Sequence, residues 1–284
     1  MASPRAGRPR LAVTLGDPRG IGPEVVRQAL VAALDADVTL VGTEHEAGVS
    51  EEQAGRAAGQ AIEDAARLAL SGEVDAIVTG PVHKHALHVA GYRYPGVTEF
   101  LAHLAGDVPV AMMLTTGTLR VVLVTTHLAL RDVPAHLTTE RIVQAGRITA
   151  DALRRWWGIA APRLAVCALN PHAGEGGLFG DEDERVLRPA AKTLGAVGPL
   201  SADTVFVKAL RGDFDAVLAP YHDVGMTAVK VAGFGTGVNV TLGLPFIRTA
   251  PDHGTAFDIA RTGKAEAGSM RAALELAVRL ANRR

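Results

Sequence analysis

The 284-residue chain has one cysteine, Cys167, so it can form no intramolecular disulfide. Cys167 sits inside the apolar run 164–169 and reads as a small buried hydrophobe, not a nucleophile. Aromatic residues are only 4% of the chain although hydrophobic residues make up 48%. A large core is therefore available, filled by Ala, Val and Leu, and disorder over most of the chain is excluded. Neither sign of charge dominates: 29 Lys and Arg face 30 Asp and Glu, a net charge of −1. A general nucleic-acid binder shows a basic excess, so no nucleic-acid partner is expected. No apolar run approaches the roughly 18 residues of a membrane span, so no membrane partner is expected either. After the basic start MASPRAGRPR, only Leu11 to Leu15 precede Gly16 and Asp17, too short a run for a signal-peptide core. A frayed terminus and a cytoplasmic location are the expectation. The chain also lacks the G-x-G-x-x-G and Gly-Lys-Ser/Thr phosphate fingerprints, and it shows no internal repeat or long linker.

Short Val, Leu, Ile and Ala runs at 11–15, 38–42, 74–79, 110–114, 120–126, 163–169, 215–220 and 238–242 predict strands. Ala-rich stretches near 22–34, 53–71, 139–156, 182–193 and 267–282 predict helices. Fully apolar strands separated by helices indicate an α/β protein with a largely parallel sheet. The pair 110–114 and 120–126, joined across Thr116 and Gly117, predicts a hairpin, which makes the sheet mixed.

Three predicted strands run into a histidine: 121–126 into His127, 164–171 into His172 and 216–221 into His222. Ligands of open α/β sheets bind beyond the carboxyl ends of the strands, where three imidazoles could converge. Three His with an open position make a workable zinc or cobalt shell; the alternative is that each His only caps its strand or hydrogen-bonds a loop. The turn Gly16-Asp-Pro-Arg-Gly-Ile-Gly-Pro-Glu24 follows the first strand and opens a helix. Pro23 suits the first helical turn and Glu24 the positive helix end. It is either a ligand cradle or a structural turn. Gly80-Pro-Val-His-Lys84 follows another strand and could touch an anion or be solvated. Lys230, Asn239 and Arg248 carry the donors that suit phosphate and carboxylate groups, although each singly also suits a surface or a turn.

Together, GDPRGIGPE (16–24), TGPVHK (79–84), TTHLALRDV (125–133), LNPHAGEGGLFGDED (169–183), GPLSADTVF (198–206), YHDVGMTAVK (221–230), GVNVTLGLPFIRT (237–249) and DHGTAFDIA (252–260) resemble the 4-hydroxythreonine-4-phosphate dehydrogenase family. The likeness covers most of the chain from Leu11 onward. It implies two α/β/α domains around a central cleft, as in isocitrate and isopropylmalate dehydrogenases, with a mixed, mostly parallel sheet. Residues 1–100 with 245–284 would form the first domain. Residues 101–244 would form the second and carry the metal histidines and the dimer interface. The implied activity is oxidation and decarboxylation of 4-phosphohydroxy-L-threonine to 3-amino-2-oxopropyl phosphate, dependent on NAD and a divalent metal, in vitamin B6 synthesis.

The resemblance assigns the metal to His127, His172 and His222, with zinc or cobalt favoured by imidazole ligands and magnesium possible. It implies a homodimer with the active site at the interface and ligands from both chains. Contacts to a small phosphorylated substrate are expected from Thr98, Lys230, Asn239, Arg248, Asp203 and Thr204, with Lys230 as catalytic proton donor or acceptor. The adenosine end of NAD is expected at His253, Gly254, Thr255 and Asp258. Two departures stand out. The family reads G-H-T-E-F where this chain has Gly96-Val97-Thr98-Glu99-Phe100, so a substrate-contacting histidine is replaced by Val97. The stretch 42–60 is also shorter than usual. A missing polar partner can change substrate preference. The same chemistry on a phosphorylated four-carbon sugar acid (4-phosphothreonate or 4-phosphoerythronate), or on a cyclic dihydrodiol carboxylate, is the alternative. More remote are a metal-dependent hydrolase or aldolase without NAD, and a binding protein that has lost catalysis.

Overall fold

The computed structural model describes residues 7–46 and 48–283, so most of the expected frayed terminus lies outside the described residues. The strands are β1 (Arg10–Thr14), β2 (Asp37–Val41), β3 (Ala76–Thr79), β4 (Ala111–Thr116), β5 (Leu119–Leu123), β6 (Leu164–Cys167), β7 (Val197–Leu200), β8 (Ala216–Ala219), β9 (Val238–Leu242) and β10 (Ile247–Pro251). The α-helices are α1 (Gly22–Val31), α2 (Glu51–Leu70), α3 (Lys84–Val89), α4 (Val97–Leu104), α5 (Val133–His136), α6 (Thr139–Trp157), α7 (Arg188–Leu194), α8 (Ala202–Leu210), α9 (His222–Ala232) and α10 (Gly268–Ala281). No helix among the described residues is long and apolar enough to cross a membrane.

The chain divides into two compact units, Met1–Val110 with Gly235–Arg284, and Ala111–Phe234. The sequence placed these breaks at 100 and 244. β9 falls in the first unit because it pairs antiparallel with β10. Leu244 and Phe246, just beyond it, are buried with Ile62, Phe100 and Leu101 of α2 and α4.

In the first unit β2, β1, β3 and β10 run parallel, with β9 antiparallel at the end of the row. α2 and α4 cover one face through Ala12 and Ile77, and α10 lies against β3 and β10. In the second unit β4 and β5 form the predicted hairpin, followed by β8, β6 and β7 in parallel. α8 and α9 pack on Val121, Ala165 and Val217, and α6 also contacts β4, β5 and β8. Each unit is thus a mixed, mostly parallel α/β unit, as expected. β3, β6 and β8 are buried at every position, which is why they read as unbroken apolar runs.

One device recurs. The backbone N–H of Arg10 donates to Asp75 Oδ2 (2.9 Å), its Nη2 donates to Oδ1 (3.2 Å), and Asp75 N donates back to the Arg10 carbonyl (2.7 Å). Arg163 and Asp215 repeat this at 2.8, 3.0 and 2.8 Å. Each clamp ties the start of one strand to the start of its parallel neighbour, a likeness between units too short to register as a sequence repeat.

Candidate functional site

In the first unit the sheet presents a buried cation. Arg248 on β10 is 5% exposed and surrounded by threonines. Its Nε and Nη2 donate to Thr79 Oγ1 at 3.1 and 2.6 Å, and its Nη1 donates to Thr241 Oγ1 at 3.0 Å. Thr241 in turn lies 3.4 Å from Thr98 Oγ1. Burial pushes the Arg248 guanidinium down to about 10, opposed by the charge of Glu99. None of its hydrogen-bond partners is a carboxylate, and a guanidinium carries five N–H groups, so donors remain for an external anion. Asn239 shares a face of β9 with Thr241, and its Oδ1 is buried without a hydrogen bond. Three expected contacts, Thr98, Asn239 and Arg248, are thus brought together. Thr79 and Thr241 were not foreseen; Thr241 is signalled by its place two residues after Asn239. Val97 opens α4, which has no capping side chain, and its own side chain packs against the apolar cluster that includes Phe100 and Leu101.

The glycine-rich turn is built around Asp17, which is fully buried and accepts from Arg19 Nε (3.0 Å) and Nη2 (2.8 Å). Gly16 has φ +80, and a Cβ there would sit 2.2 Å from the Pro81 carbonyl oxygen, so only glycine fits. The turn packs on the expected cofactor loop: Ile21 N donates to the Thr255 carbonyl at 2.9 Å, and Arg19 lies over the Phe257 ring at 5.1 Å. Within that loop Thr255 is buried and Gly254 and Asp258 are exposed. His253 Nε2 is buried without a hydrogen bond. The shortened stretch forms part of this wall. His45 Nδ1 donates to the Pro18 carbonyl at 2.8 Å, and Glu51 Oε1 lies 3.1 Å from Nδ1 of both His83 and His85. The hydrogen bond from His85 holds the Glu51 carboxyl below its usual range.

In the second unit, β5, β8 and β6 are adjacent, so the three histidines do follow neighbouring strands. They do not cap them. His127 and His172 lie four and five residues beyond their strands, and His222 is the first residue of α9. Thr125 Oγ1 donates to the Pro220 carbonyl (2.7 Å), tying together the segments that lead to His127 and His222. Their ring centroids are 5.4 Å apart. His222 Nδ1 donates to Asp223 Oδ1 at 2.6 Å, which leaves Nε2 as a lone-pair donor. His172 stands apart on its loop, with Phe179 as its ring neighbour at 6.5 Å. Among the described residues no three His, Cys, Asp or Glu side chains converge to hold a metal ion. The paired imidazoles and the oriented His222 fit a divalent cation as two of its ligands. Lys230 is exposed in the last turn of α9, about 12 Å along the axis from His222. Asp203 and Thr204 are exposed in the first turn of α8. Cys167 is buried as expected, and burial, with the nearby charge of Asp183, pushes its thiol up to about 12.

The chain matches the family described as Pyridoxal phosphate biosynthetic protein PdxA over residues 18–277. It is 43% identical to a 4-hydroxythreonine-4-phosphate dehydrogenase of Geobacter metallireducens, covering 96% of each chain. That alignment spans 326 positions, so the relative carries segments with no counterpart in this chain of 284 residues. A D-threonate 4-phosphate dehydrogenase of Salmonella typhimurium is 42% identical over 95% of this chain and 98% of its own. The crystal structure of 4-hydroxythreonine-4-phosphate dehydrogenase from Klebsiella pneumoniae superposes with a TM-score of 0.83 at 40% identity, covering 96% of this chain and 99% of that one.

Proposed function

Because the chain belongs to the PdxA family of pyridoxal phosphate biosynthetic proteins, we propose that it oxidises and decarboxylates 4-phosphohydroxy-L-threonine to 3-amino-2-oxopropyl phosphate, using NAD and one divalent metal, as a cytoplasmic homodimer. The observation that carries this reading is Arg248, a buried cation with no carboxylate partner and spare N–H donors. A buried charge in that state is costly unless an anion arrives, and the proposed substrate has both a phosphate and a carboxylate.

In this reading Arg248 and Asn239 hold one anionic end of the substrate, and Thr98 orients it. The Nζ of Lys230 takes the proton from the C3 hydroxyl as hydride leaves C3, then returns a proton to the carbon that loses carbon dioxide. When bound, nicotinamide accepts the hydride, and a zinc or cobalt ion polarises the oxygen at the reacting carbon. His127 and His222 would hold that ion, with His172 completing the set, and ligands from both chains of the dimer would bring the three together. The loop with His253, Gly254, Thr255 and Asp258 would take the adenosine end of the dinucleotide. Zinc and cobalt suit imidazole donors better than magnesium does.

Val97 favours a second reading. With an apolar side chain packed where the family has a histidine, the pocket loses one polar partner. The same chemistry on D-threonate 4-phosphate, named for the Salmonella typhimurium relative, then becomes the competitor. The test is NADH formation by purified protein with NAD and added zinc or cobalt, on each substrate in parallel. Turnover on 4-phosphohydroxy-L-threonine, lost in His127→Ala, is expected. Turnover on D-threonate 4-phosphate alone would replace the first reading by the second.

A further inference from the structure

We infer that Asp183 is the positioning residue of His172: its buried carboxylate fixes the backbone from which the His172 loop departs. The inference rests on reading His172 as a metal ligand. Asp183 is fully buried. Its Oδ1 accepts from Leu169 N at 2.9 Å and its Oδ2 from Asn170 N at 3.0 Å, so both oxygens are committed to backbone amides and neither to a cation. Those amides lie where the chain has just left β6, two and three residues before His172. A carboxylate taken wholly out of water is tolerated only with such hydrogen bonds, so the two amides and the carboxylate define each other's places.

The loop between these anchors needs that support. His172, Ala173, Gly174, Glu175 and Gly176 have φ of 51, 55, 82, 42 and 65, five consecutive left-handed residues. Three of them carry a Cβ, for which this conformation is costly, and such strain persists only where the surroundings over-determine it. Here the loop is closed on itself. A Cβ on Gly174 would lie 2.9 Å from the Gly180 carbonyl oxygen. Asn170 Nδ2 donates to Glu182 Oε2 at 2.8 Å, next to Asp183. The imidazole of His172 is therefore aimed by a strained turn whose base is held by one carboxylate.

The test uses Co2+ alone, titrated into the metal-free full-length protein, with the visible spectrum of the loaded form and the Tm of the metal-free form as readouts. Asp183→Asn keeps the volume but turns one acceptor into a donor facing an amide. It is expected to raise the Co2+ Kd by about 10–100-fold and to shift the spectrum in the direction shown by His172→Ala. A lower Tm with wild-type Kd and spectrum would mean a purely structural carboxylate and would overturn the inference. If Asp183→Asn does not fold, Glu182→Ala removes the acceptor of the adjoining tie from Asn170 Nδ2; a smaller shift in the same direction supports the inference, and unchanged Kd and spectrum overturn it. A wild-type spectrum in His172→Ala removes the metal reading of that histidine itself. A changed one there beside an unchanged Asp183→Asn removes only the positioning role.

Discussion

Arg10 with Asp75 in the first unit, and Arg163 with Asp215 in the second, tie the starts of two parallel strands in the same way. Away from those clamps the units part company. The first keeps its polar groups on the sheet: Thr79, Asn239, Thr241 and Arg248 belong to β3, β9 and β10, and the guanidinium is locked by hydroxyls before any ligand arrives. The second sends its histidines beyond the strands, onto a left-handed loop and a helix start. An anion pocket needs a fixed buried charge, which strands supply. A set of imidazoles must aim lone pairs at one point, which loops can do only if something else holds them.

That contrast is sharpest at Arg248. Arg248→Met should lower kcat/KM by about 30- to 4000-fold, the equivalent of about 2–5 kcal/mol for losing one partner of a buried charged contact. Ligand-free Tm should hold or rise, because an unpaired buried charge is replaced by a side chain of similar length. Kinetics and a thermal melt on the same preparation decide this. A large fall in Tm with kcat/KM intact would make Arg248 a structural cation and erase the difference between the units.

A smaller effect is expected at Val97. Its side chain packs against the apolar cluster that includes Phe100 and Leu101, at the start of α4, beside Thr98. Val97→His should raise kcat/KM on 4-phosphohydroxy-L-threonine by about 2- to 10-fold, the worth of one neutral hydrogen bond, and lower Tm slightly as an apolar contact is lost. A fall in kcat/KM there, with a gain on D-threonate 4-phosphate, would show that the pocket is shaped by volume and not by donors.

Most of both architectures was legible because buried parallel strands leave unbroken apolar runs, as at 76–79 and 216–219. β7 was missed because its run is broken by Gly198 and Pro199. β10 escaped because Arg248 interrupts it, and only the fold shows that this charge is buried. α4 and α8, of eight and nine residues, are short for an apolar period, and α9 carries Gly225 and Thr227 among its residues. The three histidines stood out as residues that follow strands. Their placement on a left-handed loop and at a helix start was not legible, since neither the turn at His172 nor the hydrogen bonds to Asp183 before it leave a periodic signal.

The smallest effect belongs to the clamps the units share. Burial pushes the Asp215 carboxyl up, but the side-chain and backbone hydrogen bonds from Arg163, with the charges of Arg163 and Arg120, outweigh it and hold the group below its usual range. A carboxyl with a depressed folded pKa adds stability that is present above the unfolded value, about 3.9, and is lost as pH falls through the folded value. Asp215→Asn should therefore lower Tm by about 2–4 °C at neutral pH. The gap to wild type should persist at mildly acidic pH and close below about pH 4. Asp75→Asn should lower Tm by a similar amount at neutral pH, because the two clamps share their geometry, and neither should alter Co2+ affinity or KM. A Tm gap that did not close in acid would mean that the Asp215 contribution lies in shape and hydrogen-bond count, not in its charge. A loss of Co2+ affinity in Asp215→Asn alone would show that the strand starts of the second unit are coupled to its histidines, and the division between a structural end and a chemical end would then hold for the first unit only.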